Sequence, residues 1–409
     1  MKVIPIRQKF PAAAALDIPR ELVARFRPSV KPGARIAVGV GSRGISNLAA
    51  VVKATVDLLK AAGAKPFLLP AMGSHGGATP EGQTGVLAEY GVTEAIAPIR
   101  AAMETEVVAT TADGVPVHVS VEALRADGVV LINRIKPHTD FGLPLGSGLI
   151  KMLAIGLGKK NGAAACHQAI GLLGHEHVIR AVGRAMLPKV KWVAGIALLE
   201  DAHHATAKID VLGPENLEAR EEALQAEAKR LMPALPFDEC DLLIVDFLGK
   251  NVSGAGMDPN IIGRNVHGYT SNLREMKAKP IIRRLFVRDL TPETHGNAIG
   301  IGMADATTAR VAKAIDPAVT LLNAWTALSL NSYKVPPAFE TDREAIEACL
   351  GTVPRPDGRP PRVLRIADTL SLERVDVSEA YAAELGGVEV LGPPREMEFD
   401  AAGNLRRMS

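Results

Sequence analysis

The sequence predicts an α/β protein of two α/β domains, with mostly parallel sheets and an interdomain active-site cleft. Three observations lead there. At 409 residues the chain is too long for one compact core. Short apolar runs alternate with segments of helical period, the strand–loop–helix rhythm of parallel sheets. The texture breaks at Pro233 and Pro236 of LMPALPF, after which a second strand–helix series begins. The expected division is 1–236, 237–390 and a tail, 391–409, expected to pack back on the first domain.

In chain order, RIAVGV at 35–40 is a short apolar run with the character of a buried strand. Ser46 and Asn47 offer an N-cap for a helix over 48–62, closed by Gly63. Residues 65–70 form the next strand and lead into GSHGGAT. Thr79 and Pro80 then cap a helix over 80–90. Residues 115–121 alternate as a strand should, and GVVLIN at 128–133 is a buried strand whose end delivers Lys136, Pro137 and His138. Glycine-punctuated helices are expected at 149–155 and 163–170. In the second domain, strands are expected at 240–247, 280–288 and 363–367, with a helix over 304–315.

Net charge is +2, so no basic face argues for nucleic acid. Cys166, Cys240 and Cys349 form no CxxC pair, which argues against a disulfide framework or an iron–sulfur cluster. The longest apolar runs are broken well short of a membrane span, and the first residues lack an apolar signal core. The expectation is a cytoplasmic, reduced protein with no membrane partner.

The chemistry-bearing residues sit in glycine frames. GVGSRG at 39–44 has GxGxxG spacing between a strand and a helix, but the next strand ends in LLPAM without the carboxylate that holds a ribose, so the nicotinamide reading fails its own check. That turn can still present N–H groups to an anion, with Arg43 as a clamp. His75 lies at a strand end between small residues that leave room around its ring. His138 follows Pro137 in an extended entry, with Lys136 and Asp140 nearby to tune it. Lys151, between Ile150 and Met152, is either a snorkelling side chain or a buried amine with a purpose. His167 follows sixteen positions later on a helical path. Lys159 and Lys160 are expected to face solvent or a phosphate, and His175, His177, His203 and His204 to be surface features. A second glycine-rich loop, 251–264, carries Arg264, with Lys250 beside it.

Taken together, these motifs resemble the nickel-pincer lactate racemase family, over most of the chain and most strongly from 36 to 167. The resemblance rests on His75 in a GxH frame, His138 in a PH motif, Lys151 in SGLIK with Ser147 and Gly148, and His167 sixteen residues beyond the lysine. It implies a racemase or epimerase acting at C2 of a 2-hydroxy acid. His75 and His138 would be the acid/base pair, and Lys151 the covalent tether of a nickel-pincer nucleotide. His167 would ligate the nickel beside the cofactor's sulfur donors, a soft set that suits square-planar nickel. Hydride would pass between the substrate carbon and the cofactor, with proton transfer by the two histidines. Arg43, Ser147 and Gly148 would contact the cofactor, and Arg43, Lys250 and Arg264 the substrate. The enzymes that make the cofactor would be partners, and a homo-oligomer is open.

The family's usual DxTR appears here as VGSR, keeping Arg43 and losing the aspartate at Val40. In its DxNxYQxxK stretch, the glutamine and lysine fall on Gly263 and Val266. The interval from His138 to Lys151 is longer. These departures point to a changed substrate, such as a larger or dicarboxylic hydroxy acid. The rival readings are a cofactor- or small-anion-binding homologue without catalysis and an NAD-dependent dehydrogenase.

Overall fold

The computed structural model describes residues 1–42, 44–138, 144–264 and 280–408. They fall into two compact units: residues 11–138 and 144–232 in the first, 1–10 and 233–408 in the second. The opening strand β1 (Lys2–Arg7) thus belongs with the C-terminal half.

The first unit contains β2 (Arg35–Val40), β3 (Lys65–Pro70), β4 (Thr105–Thr110), β5 (Pro116–Ser120), β6 (Gly128–Arg134), β7 (Trp192–Glu200) and β8 (Thr206–Leu212). Its five-stranded sheet runs β3-β2-β6-β7-β8, parallel except for the β7–β8 edge pair, and β4–β5 form a separate hairpin. The apolar runs serve two cores because successive side chains point to opposite faces. Val38, Val40, Leu68, Val130 and Ile132 pack under Val51, Val52, Val56 and Leu59 of helix Leu48–Ala61. Ala37, Leu69, Val129 and Leu131 share the other core with Leu149, Leu153, Val178 and Val182. That second layer carries Lys151, His167 and His175.

The second unit contains β9 (Glu239–Leu248), β10 (Ile281–Leu290), β11 (Thr307–Thr308), β12 (Ala338–Phe339), β13 (Val363–Ile366), β14 (Arg374–Ser378), β15 (Glu389–Val390) and β16 (Arg395–Glu396). Its main sheet runs β10-β9-β13-β14-β1-β15, with β16 also on β1. The β10–β9–β13 part is parallel, and the pairs involving β14 and β1 are antiparallel. The tail packs in the second unit, where Arg395 and Glu396 pair with Val3 and Lys2. The buried carboxylates Asp246 and Asp342 hold Arg365, Arg288 and Arg310 in one lattice. The tail is stitched to that lattice by Arg288 donating to Leu405 O (2.6 Å) and Arg365 to Arg406 O (2.6 Å).

Two local expectations change. Asn47 sits at the cap position with φ 55° and makes no side-chain cap; its Nδ2 donates instead to Thr206 Oγ1 at 3.0 Å. Only Ala309–Ala314 of the expected 304–315 helix is helical, because Thr307 and Thr308 pair with Ala338 and Phe339. Among the described residues no helix is long and apolar enough to cross a membrane.

Candidate functional site

In the first unit, the chain leaves β2 through helix Leu48–Ala61 to β3 on one side, then returns to β6 on the other. The pair β2/β6 is thus the point where strand order reverses, and loops beyond the carboxyl ends of such a pair splay apart and leave a crevice for ligands. Gly41 and Ser42 follow β2, and residues 135–138 follow β6. His75 follows β3, the neighbour of β2 on its far side. With strands about 4.8 Å apart, the roots of the His75 and His138 loops stand roughly 10 Å apart across β2.

His75 is fixed at several points. Its Nδ1 lies 2.6 Å from Ser42 Oγ. Its backbone N–H donates to Met72 O, and its own carbonyl accepts from Gln83 Nε2 at 3.3 Å. Gln83 Nε2 also donates to Gly73 O (2.9 Å), and Thr79 Oγ1 caps helix Pro80–Glu89 by accepting from Gly82 N–H (3.0 Å). Gly76 has φ 62°, and a Cβ there would meet the Gly82 and Gln83 backbone, so glycine is required for the loop to close on the helix.

The turn after β2 is less open to an anion than its glycines imply. Ser46 N–H already donates to Glu200 Oε1 (2.8 Å), while Glu200 Oε2 receives Arg134 Nη1 (2.5 Å), which also reaches Gly44 O. A protein carboxylate therefore sits in the turn that leads into helix Leu48–Ala61, bonded to the N–H of the residue before its cap. Arg43 lies outside the described residues.

His138 stands half-buried at the end of the β6 segment, its ring 5.1 Å from that of His175 and tilted 35° to it. Lys136 and Ser147 exchange backbone hydrogen bonds at 2.9 Å each, folding the two sides of the loop together. Ser147 and Gly148 act through their backbone: Gly148 O accepts Asn133 Nδ2 at 2.9 Å. Lys151, half-buried, closes the short helix Leu149–Lys151, and the chain continues as a π-helical turn, Met152–Leu157, before helix Lys159–Leu173. A π-turn wastes hydrogen-bond geometry and is kept mostly at functional sites. Here it lets the Met72–His75 loop dock: Gly73 N–H donates to Gly156 O at 3.4 Å, and a Cβ on Gly156 would lie 2.6 Å from Ala71 O.

The start of the Lys151 helix is capped from outside. Glu221, on helix Leu217–Leu231 and fully buried, accepts from Leu149 N–H (2.9 Å) and Ile150 N–H (3.0 Å) through one oxygen. Burial pushes its carboxyl up to about 7, and the two N–H donors only partly oppose that. Gln225, one turn on, donates to Lys136 O at 2.7 Å. The folded state holds the Glu221 proton more tightly than the unfolded state, so stability falls as pH rises from about 4.5 to about 7 and is flat above. Glu221→Gln keeps the acceptor and removes the charge. It is expected to raise stability at pH 8 by roughly 2–3 kcal/mol and to be near neutral at pH 4.5. Urea unfolding at both pH values checks this, and equal effects at both would refute it.

Several sequence expectations are corrected here. Lys159 does not face solvent: it is 0% exposed, has φ 52°, and its Nζ donates to Pro70 O (2.6 Å) and Gln83 Oε1 (3.1 Å). Burial lowers its ammonium to about 8. His175 is buried against His138, whereas His177 does face solvent, 2.7 Å from Asp113 Oδ2. Asp201 accepts from the backbone N–H groups of Ala13, His203 and Ala205 at 2.7–2.9 Å. Among the described residues no group of three or more His, Cys, Asp or Glu side chains is arranged to hold a metal ion.

His167 is exposed on helix Lys159–Leu173, while Cys166 beside it is buried, so the two point to opposite sides. Lys250 and Arg264 belong to the other unit. Lys250 Nζ donates to Gly254 O at 2.7 Å. Arg264 is tied to Asp305 Oδ2 (2.6 Å), Met303 O and Ile282 O. Gly263 has φ 64° as the cap of Pro259–Ile262, and a Cβ there would overlap Pro280 O, so a side chain is excluded at this position. Val266 lies outside the described residues. The sequence reading missed Glu221, Gln225 and Asn133. Their only signal was a polar residue on an otherwise ordinary helix or strand.

The fold is similar to that of the lactate racemase apoprotein from Thermoanaerobacterium thermosaccharolyticum, with 15% identity and a TM-score of 0.50 over 90% of this chain and 99% of that one. At that identity the likeness establishes shared α/β architecture. No family model and no curated protein sequence matches the chain.

Proposed function

We propose that this protein interconverts the C2 stereoisomers of a 2-hydroxy acid, with His75 and His138 as the acid/base pair. The observation that carries the reading is topological. The two histidines rise from strands on either side of β2, at the reversal of strand order, and the Lys151 helix docks on the His75 loop through its π-turn. The fold likeness to a lactate racemase supports it.

The residues present fit a lysine-tethered nickel-pincer nucleotide by donor chemistry. Such a group brings its own sulfur and carbon donors and asks the protein for one amine and one imidazole. Lys151 and His167 offer these from two successive helical segments that meet at Gly158 and Lys159, and His167 is exposed. When bound, the group supplies a hydride acceptor and donor. The chain's own residues move the proton. A stereoinverting relay needs each imidazole to act as base on one enantiomer and acid on the other. Ser42 suits His75 to both, because a hydroxyl can donate to or accept from Nδ1. Either tautomer is thereby held in one ring position, and Nε2 is the nitrogen assigned to the substrate hydroxyl.

Intact mass and nickel content, measured on protein made together with the cofactor's biosynthetic enzymes, should show an adduct on Lys151. Chiral analysis of a hydroxy-acid panel should then show interconversion. Lys151→Ala is expected to lose both the adduct and all activity; an active, unadducted Lys151→Ala protein would sink the reading.

A further inference from the structure

Lys159 is a buried, strained cation that the proposed chemistry does not use. Isolating an ammonium from water is costly unless its donors are taken up, and a lysine at positive φ adds strain. Both are present at one residue, so the surrounding structure must hold it there. What it touches is specific. Nζ donates to Pro70 O, the last carbonyl of β3, and to Gln83 Oε1. The amide of Gln83 is thereby oriented, with Nε2 directed to Gly73 O and His75 O. The same loop meets the π-turn through Gly73 and Gly156. Lys159 begins the helix that carries His167, one residue, Gly158, beyond the π-turn that continues from Lys151.

We propose that Lys159 is a positioning residue: through Gln83 it clasps the His75 loop to the junction of the two helical segments bearing Lys151 and His167, so that the acid/base histidine and the tethered group keep one fixed geometry. The proposal rests on the acid/base role of His75 for its catalytic consequence, but not for its structural one. Lys159→Met keeps the stem and removes the donor. Gln83→Glu keeps the acceptor for Lys159 and removes the Nε2 donor to the loop carbonyls, which separates loop positioning from the burial of Lys159 itself.

The test uses the full chain and two readouts. Amide hydrogen exchange over residues 71–80, read by mass spectrometry on unloaded protein, should quicken at least about tenfold in both variants relative to peptides from β6 and β7. On loaded protein, kcat should fall by about tenfold or more with KM nearly unchanged, the signature of a misplaced group and not of lost binding. If Lys159→Met does not fold, Gln83→Glu alone decides. Unchanged exchange in the folded variants overturns the clasp, and quickened exchange with unaltered kcat overturns its positioning role in catalysis. Quickened exchange in a protein whose parent racemises no hydroxy acid leaves the clasp standing and removes the proposed activity.

Discussion

Asp342→Ala is expected to destabilise the second unit by about 3–5 kcal/mol, the usual cost of removing one partner from a buried ion pair. Asp342 is 0% exposed and satisfies three donors at once: Arg288 Nε (2.7 Å), Arg310 Nη2 (2.6 Å) and Leu405 N–H (2.8 Å). Arg310 is partly open to water and keeps Asp289 at 3.4 Å, so its loss is softened. Arg288 is not, and its remaining carboxylate, Asp246, stands at 3.6 Å and already holds Arg365. The cost therefore falls mostly on one buried guanidinium left short of an acceptor. Calorimetry should show the transition of the second unit lowered by on the order of 10 °C. Limited proteolysis should cut the tail near Leu405 faster, because its N–H anchor is gone. Asp342→Asn, which retains an acceptor, should show a smaller loss. An Asp342→Ala protein with an unchanged midpoint would mean that the lattice contributes nothing net.

The second large effect is catalytic. His75→Gln and His138→Gln are each expected to reduce racemisation by about 10²–10⁴-fold, the range typical of a lost general acid or base. In a relay each direction needs both imidazoles, so either variant should fail for both enantiomers, with hydroxy-acid binding and thermal midpoint close to the parent. Ser42→Ala, which leaves His75 without the hydroxyl at Nδ1, should fall between the parent and His75→Gln. Initial rates from each pure enantiomer, followed by chiral chromatography, measure this. Racemisation within tenfold of the parent in His75→Gln would remove His75 from the chemistry.

The strands β2, β3 and β6 were legible because each is a short apolar run bounded by turn residues, and buried parallel strands have that signature. The helix start at Thr79 was legible because capping is local chemistry written in adjacent residues. Asn47 misled for the complementary reason. It has a capping residue's identity, but its backbone is left-handed, at φ 55°, and its side chain donates to Thr206 of β8.

Lys159 and His175 were misplaced because sequence places a charged or titratable side chain at the surface by default. Burial of either depends on partners 76 and 37 positions away, Gln83 for the lysine and His138 for the histidine. The same holds for Glu221, whose carboxylate caps a helix start more than seventy residues earlier. The membership of β1 in the C-terminal sheet follows from pairing with β14 across nearly the whole chain, which no local pattern records.

The sequence by itself determined the α/β class, the strand ends that bear His75 and His138, and the sixteen-residue interval from Lys151 to His167. Period, caps and spacing are properties of neighbouring residues. Only the tertiary structure decided which strands adjoin, and so that the two histidines flank β2. It also decided which polar groups are buried, among them Lys159, Gln83 and Glu221. Those outcomes depend on desolvation and on partners distant in sequence. Such energies exist only once the chain has folded.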